Sequence, residues 1–367
     1  MTIAAQIVIN GRFLTRPVTG VERFAGELLT ALDRLVTSGQ IQMPTMEIVV
    51  PKGHPLKLAF DSFPIREIGH RQGHLWEQLD LPRYCGKRFL VNLCNTGPVS
   101  MSHQAVVIHD AAVFAVPHAY GTAFKLAYKL MHGLLARRAQ AIWTVSEFSR
   151  AELQKFLPLK GRSIVVLPEG GEHVQRVAPD DSILDKAQLR QRPFVLAVSS
   201  AQPAKNFGLI IRALDQAQAD PGFDVVVAGG TNPTIFSTQG QPLPTYVKHV
   251  GYVSDGQLAA LYRHAACFVF PSVYEGFGLP PLEAMAWGCP VVASRAASIP
   301  EVCGDAAEYF DPQDPRSFLD ALNAVMHNPQ RKAELQHNAV NRSQLWTWDR
   351  AARSLAQALQ VALHAQR

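Results

Sequence analysis

The sequence predicts an α/β protein built from two doubly wound domains that face each other across a cleft. Three observations predict it. Short apolar runs alternate with helix-patterned segments along most of the chain, the mark of repeated βαβ units and parallel sheets. At 367 residues the chain exceeds one compact core, so two domains are expected. The alternation pauses once, over residues 171–192 (GEHVQRVAPDDSILDKAQLRQR), a polar stretch that reads as a linker. The expected domains are residues 1–175 and 190–344, with 345–367 returning as a helix to the first.

The elements follow in order. MTIAAQIVINGRF lacks the basic start and long apolar stretch of a signal peptide. It reads as a first strand at 6–9, with Ile7, Val8 and Ile9 entering the core. Strands at 46–50, 105–109, 141–145 and 163–167 continue this series, with helices at 20–36, 120–138 and 147–156. The second series has strands at 193–198, 223–228, 248–250, 267–270 and 290–293. Its helices are 206–217, 255–265, 280–287 and 315–326. Pro280 suits a first helical position, where its missing N–H would be unpaired anyway. An amphipathic helix from about Trp346 follows the second sheet.

Composition narrows the class. Hydrophobic residues make up 47% and charged residues 18%, which describes a folded chain rather than a disordered one. No segment approaches the roughly 18 uninterrupted apolar residues of a spanning helix. Cys85, Cys94, Cys267, Cys289 and Cys303 form no CxxC pair, read as packing residues and point to the reducing cytosol. The net charge of +5 is uneven. Residues 1–170 hold 19 Lys/Arg against 12 Asp/Glu (+7) and the remainder 16 against 18 (−2). A basic first half suits an anionic partner: a phosphate-rich substrate, a membrane surface or nucleic acid. Nucleic acid is disfavoured, because basic residues are not interleaved with aromatic stacking platforms. GxGxxG is absent after the first strand, which argues against a nicotinamide enzyme.

In doubly wound sheets ligands bind outside the carboxyl ends of the strands. That singles out residues 11–20, His109 with Asp110, Ser146 with Glu147, 199–205, Gly229 with Gly230, Tyr252 with Val253, and the stretch from Glu275. There YEGFGLPPLEAMAWGCPVV places Glu275 and Glu283 on either side of a glycine turn. The N–H groups of Gly276, Phe277, Gly278 and Leu279, with the helix start, form an anion site. A carboxylate repels phosphate but accepts two hydrogen bonds from a vicinal diol. Carboxylate, N–H donors and carboxylate in a row match sugar, diphosphate and ribose. The ligand so described is a nucleotide sugar, with the hexose at Glu275 and the ribose at Glu283.

This stretch resembles the E-x7-E signature of family 4 glycosyltransferases, retaining enzymes of GT-B fold, including bacterial mannosyltransferase-like members that build polysaccharides. TGVERFAGELLTAL (19–32), VIHDAAVF (107–114), TVSEFSRAEL (144–153), AVSSAQPAKNFGLIIRAL (197–214), VGYVSDGQLAALYRHA (250–265) and ASIPEVCGDAAEYFDP (297–312) extend the likeness over nearly the whole chain. The resemblance implies a hexosyl transfer to a hydroxyl of a glycan or lipid-linked glycan acceptor, with GDP-mannose as the favoured donor. It makes Lys205, His109 and Glu275 the catalytic residues: Lys205 at the diphosphate, His109 near the reacting centre of the hexose. Gly20 belongs to the loop over the phosphates, Ser199 to the lysine loop, and Tyr252 with Val253 to the base site. Many relatives carry an arginine near the lysine, where this chain has Ser199 or Ala204, so more of the phosphate binding falls to backbone N–H groups. Arg12, Arg16 and Arg23 are alternative sources of charge near Gly20. Asp110 either orients the site or caps the next helix. No DxD or His-rich cluster is present, so no metal and no other cofactor is expected. The expected location is cytoplasmic, with peripheral contact to an anionic membrane through residues 120–138. A sugar-nucleotide binding protein without transfer activity is the alternative.

Overall fold

The computed structural model describes residues 6–56, 58–199, 202–216, 220–230 and 243–364. It divides into two units, Met1–Glu169 with Trp348–Arg367, and Gly170–Thr347.

The first unit carries a seven-stranded sheet. Its strands are β1 (Ile7–Asn10), β2 (Met46–Pro51), β3 (Ile65–Ile68), β4 (Phe89–Asn92), β5 (Gln104–Val107), β6 (Ala141–Thr144) and β7 (Val165–Val166). All neighbouring pairs are parallel, in the order β3-β2-β1-β4-β5-β6-β7. The order reverses direction between β1 and β4. Helix Gly20–Thr37 buries Phe24, Leu28, Leu32 and Leu35, at a spacing of three to four residues that forms one stripe. Its start is fixed by a capping box, in which the Thr19 N–H donates to Glu22 Oε2 at 3.3 Å.

The second unit has six parallel strands, β8 (Phe194–Val198), β9 (Asp224–Ala228), β10 (Val247–Gly251), β11 (Cys267–Phe270), β12 (Val291–Ser294) and β13 (Ala307–Phe310). Their order is β10-β9-β8-β11-β12-β13, so direction reverses between β8 and β11. Successive residues of β8 serve opposite cores: Phe194 and Leu196 join one, Val195 and Ala197 the other. A strand covered on both faces must be apolar at every position, which is why FVLAV and CFVF read as continuous runs.

Several expectations need correction. β3, β4 and β13, and the helix Pro329–Ser343, have no counterpart among the elements expected from sequence. β3 (IREI) and β13 (AEYF) are edge strands with polar residues in them, which dilutes the apolar pattern. The strand expected at 163–167 shrinks to Val165–Val166, also at an edge. The stretch 171–192 is not a free linker. The break between units falls after Glu169, and Ile183, Leu184 and Leu189 are buried in the second unit's core.

The returning helix is Trp348–His364 and belongs to the first unit. Trp348 is fully buried beside Phe24, with ring centroids 6.2 Å apart. Trp346, where the helix was expected to start, lies before it in the second unit, against Phe277 (5.4 Å, edge-on). All five cysteines are free; four are buried and Cys94 is half-buried. Among the described residues no helix is long and apolar enough to cross a membrane.

Candidate functional site

The second unit assembles its site at the point where strand order reverses. Lys205 lies on the loop after β8 and Glu275 on the loop after β11, the two strands flanking that point. Ligands of doubly wound sheets settle there, because loops leave the sheet in opposite directions and open a crevice. Lys205 Nζ donates to Glu275 Oε1 at 2.9 Å and Oε2 at 3.1 Å. It also lies 5.7 Å from the centroid of the Phe270 ring.

The loops are held together by backbone as well as by charge. The Val273 N–H donates to the Ala204 carbonyl at 2.8 Å. Asn206, in the left-handed region, donates from Nδ2 to the carbonyls of Pro271 (3.2 Å) and Pro312 (2.8 Å). Sequence reasoning missed Ser298. Its buried hydroxyl reaches the carbonyls of Glu275 (3.0 Å) and Phe277 (2.6 Å), bracing the glycine turn from behind. Its only sequence signal was its place in the ASIPEV segment.

Gly278 has φ +117°, a conformation that side chains rarely adopt, and helix Leu279–Ala286 begins directly after it. Pro280 and Pro281 carry no N–H and the Leu282 N–H turns back to the Gly278 carbonyl (3.4 Å), so any backbone donors here come from Gly276 to Leu279, ahead of the prolines. The Phe277 and Leu279 side chains are buried, so any part they take in binding is through backbone. Glu283 is buried further along the helix. Its Oε1 accepts from His173 Nε2 at 3.0 Å and its Oε2 from the Tyr262 hydroxyl at 2.9 Å. Burial pushes the Tyr262 hydroxyl well above its ordinary pKa, so it stays a donor.

Ser199, at the end of β8, is buried and donates its N–H to the Ala228 carbonyl (3.0 Å). A side chain at Gly229 would come within 2.4 Å of the Ser199 carbonyl oxygen, so glycine is required there for close approach. After β10, Tyr252 is 77% exposed while Val253 is half-buried against the core. The exposed ring is the one available for stacking.

In the first unit the reversal point holds a buried polar network. Asn10 Nδ2 donates to Glu77 Oε1 (2.9 Å) and to Asn92 Oδ1 (3.0 Å). Arg12 pairs with Glu77 (3.3 Å) and donates to Thr96 (2.9 Å). Glu77 is 1% exposed and sits on a single π-helical segment, Trp76–Asp80. Burial alone would raise its pKa, but hydrogen bonds from His74, Asn10 and Thr96 and the Arg12 charge together outweigh that and hold the carboxyl below the usual range. Asn10, Glu77, Asn92 and Thr96 were also missed, although IVIN and FLVN each end an apolar run on asparagine.

Arg12 is therefore committed to this network, while Arg16 pairs with Glu22 (3.0 Å) and Arg23 with Glu27 (3.9 Å). Gly20 opens its helix with clear space around it. His109 is buried. Its Nε2 donates to the Leu93 carbonyl (2.9 Å), its ring meets Phe24 edge-on at 4.8 Å, and its Nδ1 lies 3.9 Å from Glu169 Oε1. Burial lowers its pKa to about 4, so the ring is neutral at neutral pH. Asp110 Oδ1 accepts from the N–H of Ala112, the first residue of the short helix Ala112–Ala115 (2.8 Å). Among the described residues no group of three or more His, Cys, Asp or Glu is placed to hold a metal ion.

Comparison with known proteins agrees with this geometry. Residues 181–344 match the family model described as Glycosyl transferases group 1. O-antigen chain mannosyltransferase B of Escherichia coli is 32% identical over 239 residues, 62% of this chain and 61% of that protein. The serotype-specific mannosyltransferase WbdA of Escherichia coli is 28% identical over 59% of this chain but only 28% of its own length. The match thus spans about three fifths of the first relative and little more than a quarter of the second. Among solved structures, sucrose-phosphate synthase from Thermosynechococcus elongatus superposes with a TM-score of 0.72 at 18% identity, covering 98% of this chain and 99% of that one. Anabaena HepE, solved with UDP and glucose, gives 0.67 at 18% identity, covering 97% and 99%. This likeness shows the fold class, two Rossmann-like α/β domains of the GT-B type. Lys205, Glu275 and Glu283 all lie within the span that matches this group 1 glycosyl transferase model.

Proposed function

We propose that the protein is a retaining glycosyltransferase that moves a hexose from a nucleoside diphosphate sugar to a hydroxyl of a glycan or lipid-linked glycan in polysaccharide biosynthesis. The observation that carries this reading is the joint placement of Lys205, Glu275 and the Gly276–Gly278 turn at the reversal point of the second sheet. GDP-mannose is the proposed donor, supported by relatives named as mannosyltransferases.

In this reading the acceptor oxygen attacks the anomeric carbon from the face the diphosphate leaves. The bond from that carbon to the diphosphate oxygen breaks, and the acceptor proton passes to the leaving phosphate. Lys205 and the turn's N–H groups stabilise the charge that builds there, a task that a divalent cation would otherwise serve. Glu275 faces the hexose, where positive charge develops. His109, neutral, contributes as a hydrogen-bonding group near the sugar.

A lipid-linked acceptor would place the enzyme at the inner face of a membrane. Helix Thr122–Arg138 supports this. It exposes Phe124, Leu126 and Leu130, carries Lys125, Lys129, Arg137 and Arg138, and buries only His132, Leu135 and Ala136. No acidic residue lies between Asp110 and Glu147. Such a face suits anionic lipid.

The test is incubation with GDP-mannose, UDP-glucose and dTDP-glucose, with and without a chelator, scoring release of each nucleoside diphosphate. Release from one donor that survives chelation is expected. No release from any of them, with no nucleotide-dependent rise in melting temperature, overturns the reading. Binding without release under any acceptor points to a transfer-inactive binder.

A further inference from the structure

We propose that Tyr262 and His173 are positioning residues that make Glu283 a reader of the ribose diol, so that they set the preference for ribonucleotide over deoxyribonucleotide. This rests on the donor-binding reading above and names what that site selects.

A carboxylate on a helix turns easily about its last side-chain bond, because that torsion is broad and roughly two-fold. Glu283 is denied that freedom. One oxygen is held by His173 at 3.0 Å and the other by Tyr262 at 2.9 Å, so the carboxyl plane is fixed at both ends. Neither donor is mobile. Tyr262 is fully buried, packs edge-on against Phe268 at 5.5 Å, and stands on helix Asp255–His264. His173 is 5% exposed and sits on the turn Glu172–Gln175. That turn is tied to helix Leu279–Ala286, since Gln175 Nε2 donates to the Ala286 carbonyl at 2.5 Å. A side chain at Gly171 would meet Leu282 Cγ at 2.7 Å, so turn and helix touch directly.

An ionised carboxylate has about four acceptor sites. Two are taken by the buried donors, one on each oxygen, which leaves one on each oxygen. Two acceptors held a fixed distance apart match two adjacent hydroxyls. A carboxylate free to rotate would have to be ordered when ligand binds, at a cost in affinity. Removing either donor therefore weakens discrimination between a diol and a single hydroxyl more than it weakens phosphate binding, which belongs to Lys205 and the glycine turn.

The test measures dissociation constants of GDP and 2′-deoxy-GDP, with UDP and 2′-deoxy-UDP alongside, for the natural protein, Tyr262→Phe and His173→Gln. Melting temperatures of all three are taken in parallel. A hydrogen bond to a charged group is worth roughly tenfold or more in affinity, so the natural protein should prefer the ribonucleotide by about that factor. Each variant should bring the preference to within about twofold while the deoxynucleotide affinity changes little. Equal loss for both sugars, with the ratio kept, marks a merely structural role and overturns the inference. So does a natural protein that binds both sugars equally. A natural protein that binds no nucleoside diphosphate removes the donor-binding reading itself, and this inference with it. If one variant fails to fold, the ratio in the other decides.

Discussion

At the scale of single residues, the two glutamates of the site differ in surroundings and so in expected role. Glu275 is partly open and shares its charge with Lys205; Glu283 is buried and doubly hydrogen-bonded. Interactions that strengthen only as the glycosidic bond breaks raise kcat, while those made equally in ground and transition states lower KM. Glu275→Gln is therefore expected to lower kcat with little change in nucleotide affinity. Glu283→Gln is expected to weaken nucleotide binding by roughly 1.5–3 kcal/mol, the worth of a hydrogen bond to a charged group. Steady-state kinetics and nucleotide titration of both variants check this. The opposite split would mean the ligand lies in the reverse direction. Both glutamates were legible from sequence because their spacing is local. Ser298, Tyr262 and His173 were not, since each reaches the site across 21 to 110 residues of chain.

Among the elements, the glycine turn and the returning helix make separable predictions. Gly278→Ala forces a residue with a Cβ into φ +117°, at about 1–3 kcal/mol of strain. The chain can relieve it only by moving the helix start, so loss of nucleotide binding should exceed the loss of stability; titration and urea unfolding together measure both. Helix Trp348–His364 lies against Gly20–Thr37, with Arg34 paired to Asp349 and Arg353 donating to Gln40 at 2.8 Å. Trp348→Ala removes a fully buried indole beside Phe24 and should cost about 3–5 kcal/mol. Because that helix belongs to the first unit, hydrogen exchange should rise there, in helix Gly20–Thr37 above all. Unchanged protection would mean the helix is not part of that core.

For the whole molecule, charge and protonation are the readable quantities. His109 and His132 are both buried and have pKa values lowered to about 4 by burial. The unfolded chain takes up protons on both below about pH 6.5, while the folded chain refuses them until near 4. Their contribution is thus fully present above about 6.5 and is lost as pH falls toward 4. Between pH 6.5 and 5 the loss is about 2 kcal/mol per histidine at most. Urea midpoints at pH 7.5, 6 and 5 should fall in that order; a flat series would mean neither ring is shielded. The exposed basic and apolar face of helix Thr122–Arg138 predicts stronger sedimentation with anionic than with neutral vesicles at low salt. Replacing Leu126 and Leu130 with serine should weaken it; equal partitioning of the natural protein removes the membrane contact.

What the sequence determined by itself was whatever is written locally. Apolar runs such as FVLAV and CFVF are continuous because their strands are covered on both faces, so the two parallel sheets could be read directly. The turn from Glu275 to Leu279 could be read too, since a strand end, glycines and a helix start lie within a dozen residues. Only the tertiary structure decided strand order, and with it which loops meet. It placed Lys205 on Glu275 across 70 residues, joined Asn10 to Asn92 beside a buried Glu77, and drew Ile183, Leu184 and Leu189 into a core rather than a linker. Edge strands β3 and β13 escaped notice for the same reason: they are short, and their polar residues are allowed by a neighbour on one side only. Those facts depend on distances through space between residues far apart in the chain, and no periodicity records them.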